Sequence, residues 1–137
     1  MGAISITAAN VGEDTTYVGN SFIDRIAGAT LTAGMACYYN SADGRVYACD
    51  NDVLASAECI GIASHGASAG QPLRLQRTGQ ITIGGTSAAG VPYFVGAGAG
   101  TIELLADVTT GKFLSLIGIG VSATKIKLGL LNSGVAV

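Results

Sequence analysis

The chain is 137 residues long with a formal net charge of −2; only 12% of its residues are charged, and 21 are glycine. Charge is therefore about half, and glycine about twice, the share of an ordinary soluble domain. The seven basic residues are scattered, with no Trp and no basic run, so no surface for nucleic acid is expected, and 49% hydrophobic residues exclude an intrinsically disordered chain.

This length corresponds to a single domain able to bury a core of its own. So few charges leave little to solvate an outer surface, which points to a chain that hides part of its outside in an assembly. Cys37, Cys49 and Cys59 form an odd set with no Cys-x-x-Cys pair. That spacing suits neither a disulfide framework nor a zinc site; it suits buried free thiols in a protein made in a reducing cytosol. The start, Met1-Gly2-Ala3-Ile4-Ser5-Ile6, lacks the basic region and apolar run of a signal peptide, and Ile6 stands where myristoylation requires Ser or Thr. The most apolar stretch, 113–123, is too short for a membrane-spanning helix, so a soluble chain without a membrane partner is expected.

In chain order, residues 1–28 show no clean periodicity. Residues 5–8 offer a short strand, and 17–26 place apolar residues at roughly helical spacing, but Gly19, Asn20 and β-branched side chains weaken a helix. The segment reads as an extended N-terminal arm available to pair with another subunit. From Ala29 onward the text is strands and turns. Strands are expected at 35–39, 45–49, 59–63, 72–77 and 80–83, with Ser41-Ala42-Asp43-Gly44 as a hairpin turn and a short helical turn at 53–56. Further strands are expected at 91–95, 101–104, 112–121 and 124–131, before a short apolar tail at 134–137. Short strands at regular spacing make residues 29–137 an all-β domain, a small β-barrel or β-sandwich.

The chain also echoes itself. Ala33-Gly34-Met35-Ala36-Cys37-Tyr38-Tyr39 returns about 56 residues later as Ala89-Gly90-Val91-Pro92-Tyr93-Phe94-Val95. Arg45-Val46-Tyr47-Ala48 returns as Thr101-Ile102-Glu103-Leu104, and Cys59-Ile60-Gly61-Ile62-Ala63 as Leu116-Ile117-Gly118-Ile119-Gly120. The basic-centred triplets Leu73-Arg74-Leu75 and Ile126-Lys127-Leu128 close the copies. Such self-similarity signals one supersecondary unit used twice, here over 29–78 and 85–132.

Catalytic motifs come close and fail. Gly66-Ala67-Ser68-Ala69-Gly70 matches the nucleophile elbow, but His65 lies upstream of the serine and Gln71-Pro72-Leu73 continues as a strand, where the motif needs a helix. Gly118-Ile119-Gly120-Val121-Ser122-Ala123 spells a dinucleotide fingerprint with no helix and no acid beyond it. Gly111-Lys112 fails the phosphate loop at Ala106 and Phe113. Asp50, Asn51, Asp52 and Glu58 could offer oxygen ligands, but Leu54 and Ala55 occupy ligand and glycine positions of a calcium loop. No catalytic, cofactor-binding or metal-binding residue is assigned, and a non-enzyme is expected.

Residues 28–135 resemble the capsid decoration, or cement, proteins of phages and prophages. The resemblance lies in Leu31-Thr32-Ala33-Gly34, Asp43-Gly44-Arg45-Val46-Tyr47 and Ile60-Gly61-Ile62-Ala63, then Ala69-Gly70-Gln71-Pro72-Leu73-Arg74-Leu75, Gly118-Ile119-Gly120 and Leu128-Gly129-Leu130-Leu131. It implies a virion surface protein, made in the host cytoplasm, that binds the major capsid protein after head expansion, often as a homotrimer. The task it implies is to bridge neighbouring capsid subunits. The three cysteines and Tyr38-Tyr39 have no shared role in that pattern. A receptor- or glycan-binding module, such as a head fibre, is the alternative, and exposed Tyr38, Tyr39, Tyr93 and Phe94 would distinguish it.

Overall fold

The computed structural model describes residues 3–137; Met1 and Gly2, at the head of the expected arm, lie outside the described residues. Ten strands follow one another with little else: β1 (Val11–Glu13), β2 (Ser21–Ala27), β3 (Ala36–Asn40), β4 (Arg45–Ala48), β5 (Cys59–Ala63), β6 (Pro72–Ile83), β7 (Pro92–Val95), β8 (Ile102–Leu104), β9 (Phe113–Gly120) and β10 (Lys125–Ala136). One helical turn, α1 (Leu54–Ala57), falls where the sequence places it. No helix among the described residues is long and apolar enough to cross a membrane.

The sheet runs β2-β4-β3-β5-β6-β10-β9-β7-β8, and β2 also pairs with β6. That second pairing closes β2, β4, β3, β5 and β6 into a five-stranded barrel, and closure removes the open edges that a flat sheet would expose. All neighbours are antiparallel except β2 and β4. The barrel core is built from small and branched side chains: Ala27, Leu31, Cys37, Val46, Ala63, Ala67, Leu73 and Leu75. A five-stranded barrel is narrow, which is why alanine and cysteine stand beside leucine there.

Within the expected arm of residues 1–28, the described residues 3–28 are not a separate arm. β1 pairs with β6, and β2 is a stave of the barrel, with Ile23 packed on its core. The helix-like spacing at 17–26 misleads because a stave needs Ile23 inward while Phe22 lies outside, beneath Arg74. Residues 5–8 form no strand, yet Ile4 and Ile6 pack against the larger core cluster. The amide of Ile4 donates to the Ile102 carbonyl at 2.8 Å and that of Thr7 to the Gly84 carbonyl at 2.8 Å. The segment therefore spans the gap between β8 and the end of β6.

The hydrogen-bond registers repeat along the chain. Cys37 faces Ala48 and Tyr38 faces Tyr47 across β3–β4; Tyr93 faces Leu104 and Phe94 faces Glu103 across β7–β8. Across β3–β5, Ala36 faces Ile62 and Cys37 faces Gly61, then a bulge brings Tyr38 to Cys59. Across β7–β9, Pro92 faces Ile119 and Tyr93 faces Gly118, then a bulge brings Phe94 to Leu116. Even the bulge recurs at the same place. The pairing Ile23↔Leu75 between β2 and β6 returns as Ile81↔Ile126 between β6 and β10. β6 thus closes the first unit with one half and begins the second with the other. This register aligns Leu75 with Ile126 and Arg74 with Lys125, two residues away from the triplet match read in the sequence, because the turn before β10 is shorter than the one before β6.

β6 bends where it changes role. Gly79 adopts φ +94°, and a Cβ there would run into Asn20. The Asn20 amide bridges the bend, accepting from the Gln80 amide at 3.0 Å and donating to the Asp14 carbonyl at 2.9 Å. From the other side, buried Gln76 donates to the Thr78 and Gln80 carbonyls. The inner face of the second unit, Tyr93, Val95, Ile102, Ile117 and Ile126, packs on the outer wall of the first, Ala36, Cys59 and Ile62.

Candidate functional site

The chemical near-misses stay apart. His65 is exposed; its Nδ1 lies 2.9 Å from the Gly66 carbonyl and its Nε2 accepts from the Arg74 amide at 3.2 Å, so both ring nitrogens are occupied. Ser68 sits in the turn before β6, its amide donating to Gln71 Oε1. Gly118 and Gly120 lie inside β9, where a Cβ would collide with the Lys127 and Ala88 carbonyls, so the glycines serve close strand packing. Asp50 accepts from the Asp52 amide, Asp52 pairs with Lys112, and Asn51 is fully buried with its side-chain amide on the Val95 carbonyl. Among the described residues no group of His, Cys, Asp or Glu is placed to hold a metal ion.

The three thiols converge around β3 and β5, free and buried. Burial in apolar surroundings pushes the Cys37 and Cys49 thiols well above the ordinary cysteine value. A protonated, enclosed thiol is a poor nucleophile and ligand, so Cys37 and Cys49 act as small core side chains, whereas the contact with Cys49 draws the enclosed Cys59 thiol the other way. Of the four aromatics that would mark a glycan-binding face, Tyr93 and Phe94 are buried, Tyr38 is half-buried, and Tyr39 is exposed beneath Arg25.

What the sequence reading did not single out is a wall. The second unit carries an outer face equivalent to the one it covers on the first. Register equates Ala36 with Pro92, Tyr38 with Phe94, Cys59 with Leu116 and Ile62 with Ile119. Ala36 and Ile62 have no exposed surface, whereas Ile119 is 46% exposed and Leu131, beside Leu116 on β10, is 66% exposed. Pro92, Phe94, Leu114, Leu116, Ile119 and Leu131, with Ser133, line an open groove of about 290 Å³. The signal was present in β9, Phe113-Leu114-Ser115-Leu116-Ile117-Gly118-Ile119, which is apolar on both faces, as strands covered on both sides are.

Of the lysines on β10 and just before β9, two are paired with carboxylates and the third lies over an aromatic ring. Lys112 is paired with Asp52, Lys127 Nζ lies 5.7 Å from the centre of the Tyr17 ring, and Lys125 binds Asp14 at 3.0 Å. Such a face can exclude water from a partner; it cannot perform acid–base or nucleophilic chemistry. No protein-family model matches the chain, and no curated protein matches it.

Proposed function

We propose that the chain is a structural virion protein that binds the outside of an expanded phage capsid and stabilises it by bridging major capsid protein subunits. The role is mechanical and includes no catalytic step. The observation that carries this reading is the uncovered apolar wall on a rigid β scaffold with few charges, a surface that is costly for a protein acting alone and useful to one that acts within a shell. The resemblance of residues 28–135 to cement proteins supplies the identity of the shell.

Mass action supplies the mechanism. A ligand that binds the expanded lattice and not its precursor stabilises the expanded form by its binding free energy, about 2.7 kcal/mol at a concentration one hundred times the dissociation constant. Closed barrel geometry and the buried core suit a component that must transmit load without rearranging. The glycan-binding alternative is weaker, because three of its four aromatic candidates are wholly or partly buried.

The test is co-sedimentation of the purified protein with expanded and unexpanded shells of the phage that encodes it. Saturable binding to expanded shells alone is expected. Binding to neither overturns the proposal.

A further inference from the structure

The two units differ at the seam where the first one closes. There β2 runs beside β4, with Ile26 facing Arg45 and Ala27 facing Val46. Carried along the repeat, with Ile81 for Ile23 and Ile102 for Val46, those pairs become Gly84 facing Thr101 and Gly85 facing Ile102. Among the described residues no such pairing forms, and β6 and β8 stand apart. Residues 4–7 lie in the opening instead. The Ile4 amide reaches the Ile102 carbonyl on one bank, and the Thr7 amide reaches the Gly84 carbonyl on the other. The two glycines leave the room: a Cβ on Gly84 would run into the Thr7 carbonyl, and one on Gly85 into the Ser5 carbonyl.

We propose that this seam is a groove for an extended, uncharged segment with branched apolar side chains at alternate positions. Residues 4–7 occupy it in the free chain, and a segment of the same pattern from a partner protein can enter in their place.

Three observations carry this. The seam binds main chain, one hydrogen bond to each bank, a mode that reads an extended segment whichever chain supplies it. Its selectivity lies in alternation: Ile4 and Ile6 pack on the larger core cluster, Ile4 beside Gly85 and Ile6 beside Gly34, while Ser5 and Thr7 are exposed. The resident also underfills the groove. An open cavity of about 190 Å³ lies between Ile4, Ile6 and Met35, and another of about 370 Å³ between Ile4, Val91, Tyr93 and Leu104. Neither is lined by Lys, Arg, His, Asp or Glu, so a charged segment would lose its water with no counter-charge to meet.

Exchange at the seam is separable from the cement role. Shells bound by a chain whose strap never exchanges would overturn the first and leave the second intact.

The experiment begins with amide hydrogen exchange of the intact chain, followed by NMR. Ile4 and Thr7 should exchange at least about a hundredfold faster than Ile81, which β1 and β10 bracket. Equal protection would mean that the strap leaves only when the whole fold does, and overturns the proposal. Replacement is then measured on the full chain carrying a protease site between Ala9 and Asn10, in an exposed turn, cut after folding. By fluorescence anisotropy, a labelled peptide of residues 3–9 should bind the cut chain saturably. Ile4→Asp with Ile6→Asp in the peptide should weaken binding at least about tenfold. The uncut chain should take up far less peptide, because its tethered strap competes at high effective concentration. A peptide that does not bind the cut chain, or that binds equally with both isoleucines replaced, overturns the proposal. So does a cut chain that loses its β circular dichroism signal, since the strap would then be an inseparable part of the core.

Discussion

Ile62 and Ile119 occupy the same position in two units that share strand order, register and bulge, yet one is sealed and the other is 46% exposed. The difference lies in neither residue. It arises from packing: the second unit lies over Ile62, and among the described residues none closes over Ile119. Strand sequence sets which residues share a face, but the packing of units sets which face is wet. An apolar residue on a wet wall is therefore information about a missing neighbour.

The largest expected effect tests that comparison directly. Ile62→Ala removes a side chain enclosed on all sides and should cost about 2–5 kcal/mol. Ile119→Ala, measured in dilute solution, should cost less than about 1 kcal/mol, since much of its side chain already faces water. Urea unfolding followed by circular dichroism gives both values. Equal losses would mean that the two walls are alike in their surroundings after all. A cost for Ile119→Ala that grows with protein concentration would sharpen the comparison, because it would show the second wall being covered by association.

Much of this fold was legible in the sequence because turns and alternation are local. Cys59–Ala63 is read with its observed bounds, and the step of about 56 residues between Ala33-Gly34 and Ala89-Gly90 is the step at which the registers repeat. What was not legible depended on distant partners. Ser21–Ala27 looked like a loose arm because nothing local reveals that β4 and β6 bracket it. β6 looked like two strands because Gly79 breaks its pattern, and the bend there does divide its work between the two units. The end of β10 looked like a tail because Gly134 interrupts it with φ +70°, though Ala136 still pairs with Phe113. The wall itself was written in β9 as apolar residues on both faces. Which face the rest of the molecule would cover could not be read from that strand alone.

The two units also differ in how they hold their charges, and the next effect in size tests this. Asp14 is buried, and the Thr16 hydroxyl first, then Lys125, hold its carboxyl below the ordinary value of 3.8. A group whose pKa is lower folded than unfolded stabilises the native state when ionised. That contribution is present above the unfolded value and fades as pH falls through it and on through the folded one. Asp14→Asn should therefore be less stable than the wild type at neutral pH, with the gap closing as the pH drops below 3.8. Thermal unfolding of both proteins across the acid range measures it. A gap that persists at low pH would show that the residue matters through packing and not through charge.

The smallest effect is expected at the position equivalent to Lys125 in the first unit. Arg74 Nε donates to Asp24 Oδ1 at 3.1 Å, but the side chains are 55% and 73% exposed, whereas those of Lys125 and Asp14 are 35% and 8% exposed. Water screens the first pair, and two long side chains lose freedom in forming it, so its value should be under about 0.5 kcal/mol. Asp24→Asn should accordingly move the urea midpoint only slightly, and the difference should vanish in high salt. The Asp14→Asn difference should survive the same salt, because enclosed charges are screened less. Were Asp24→Asn to cost as much as Asp14→Asn, the shared stave position would decide the energy of the pair. If the expected order holds, solvent exposure decides it, as it does for the two walls.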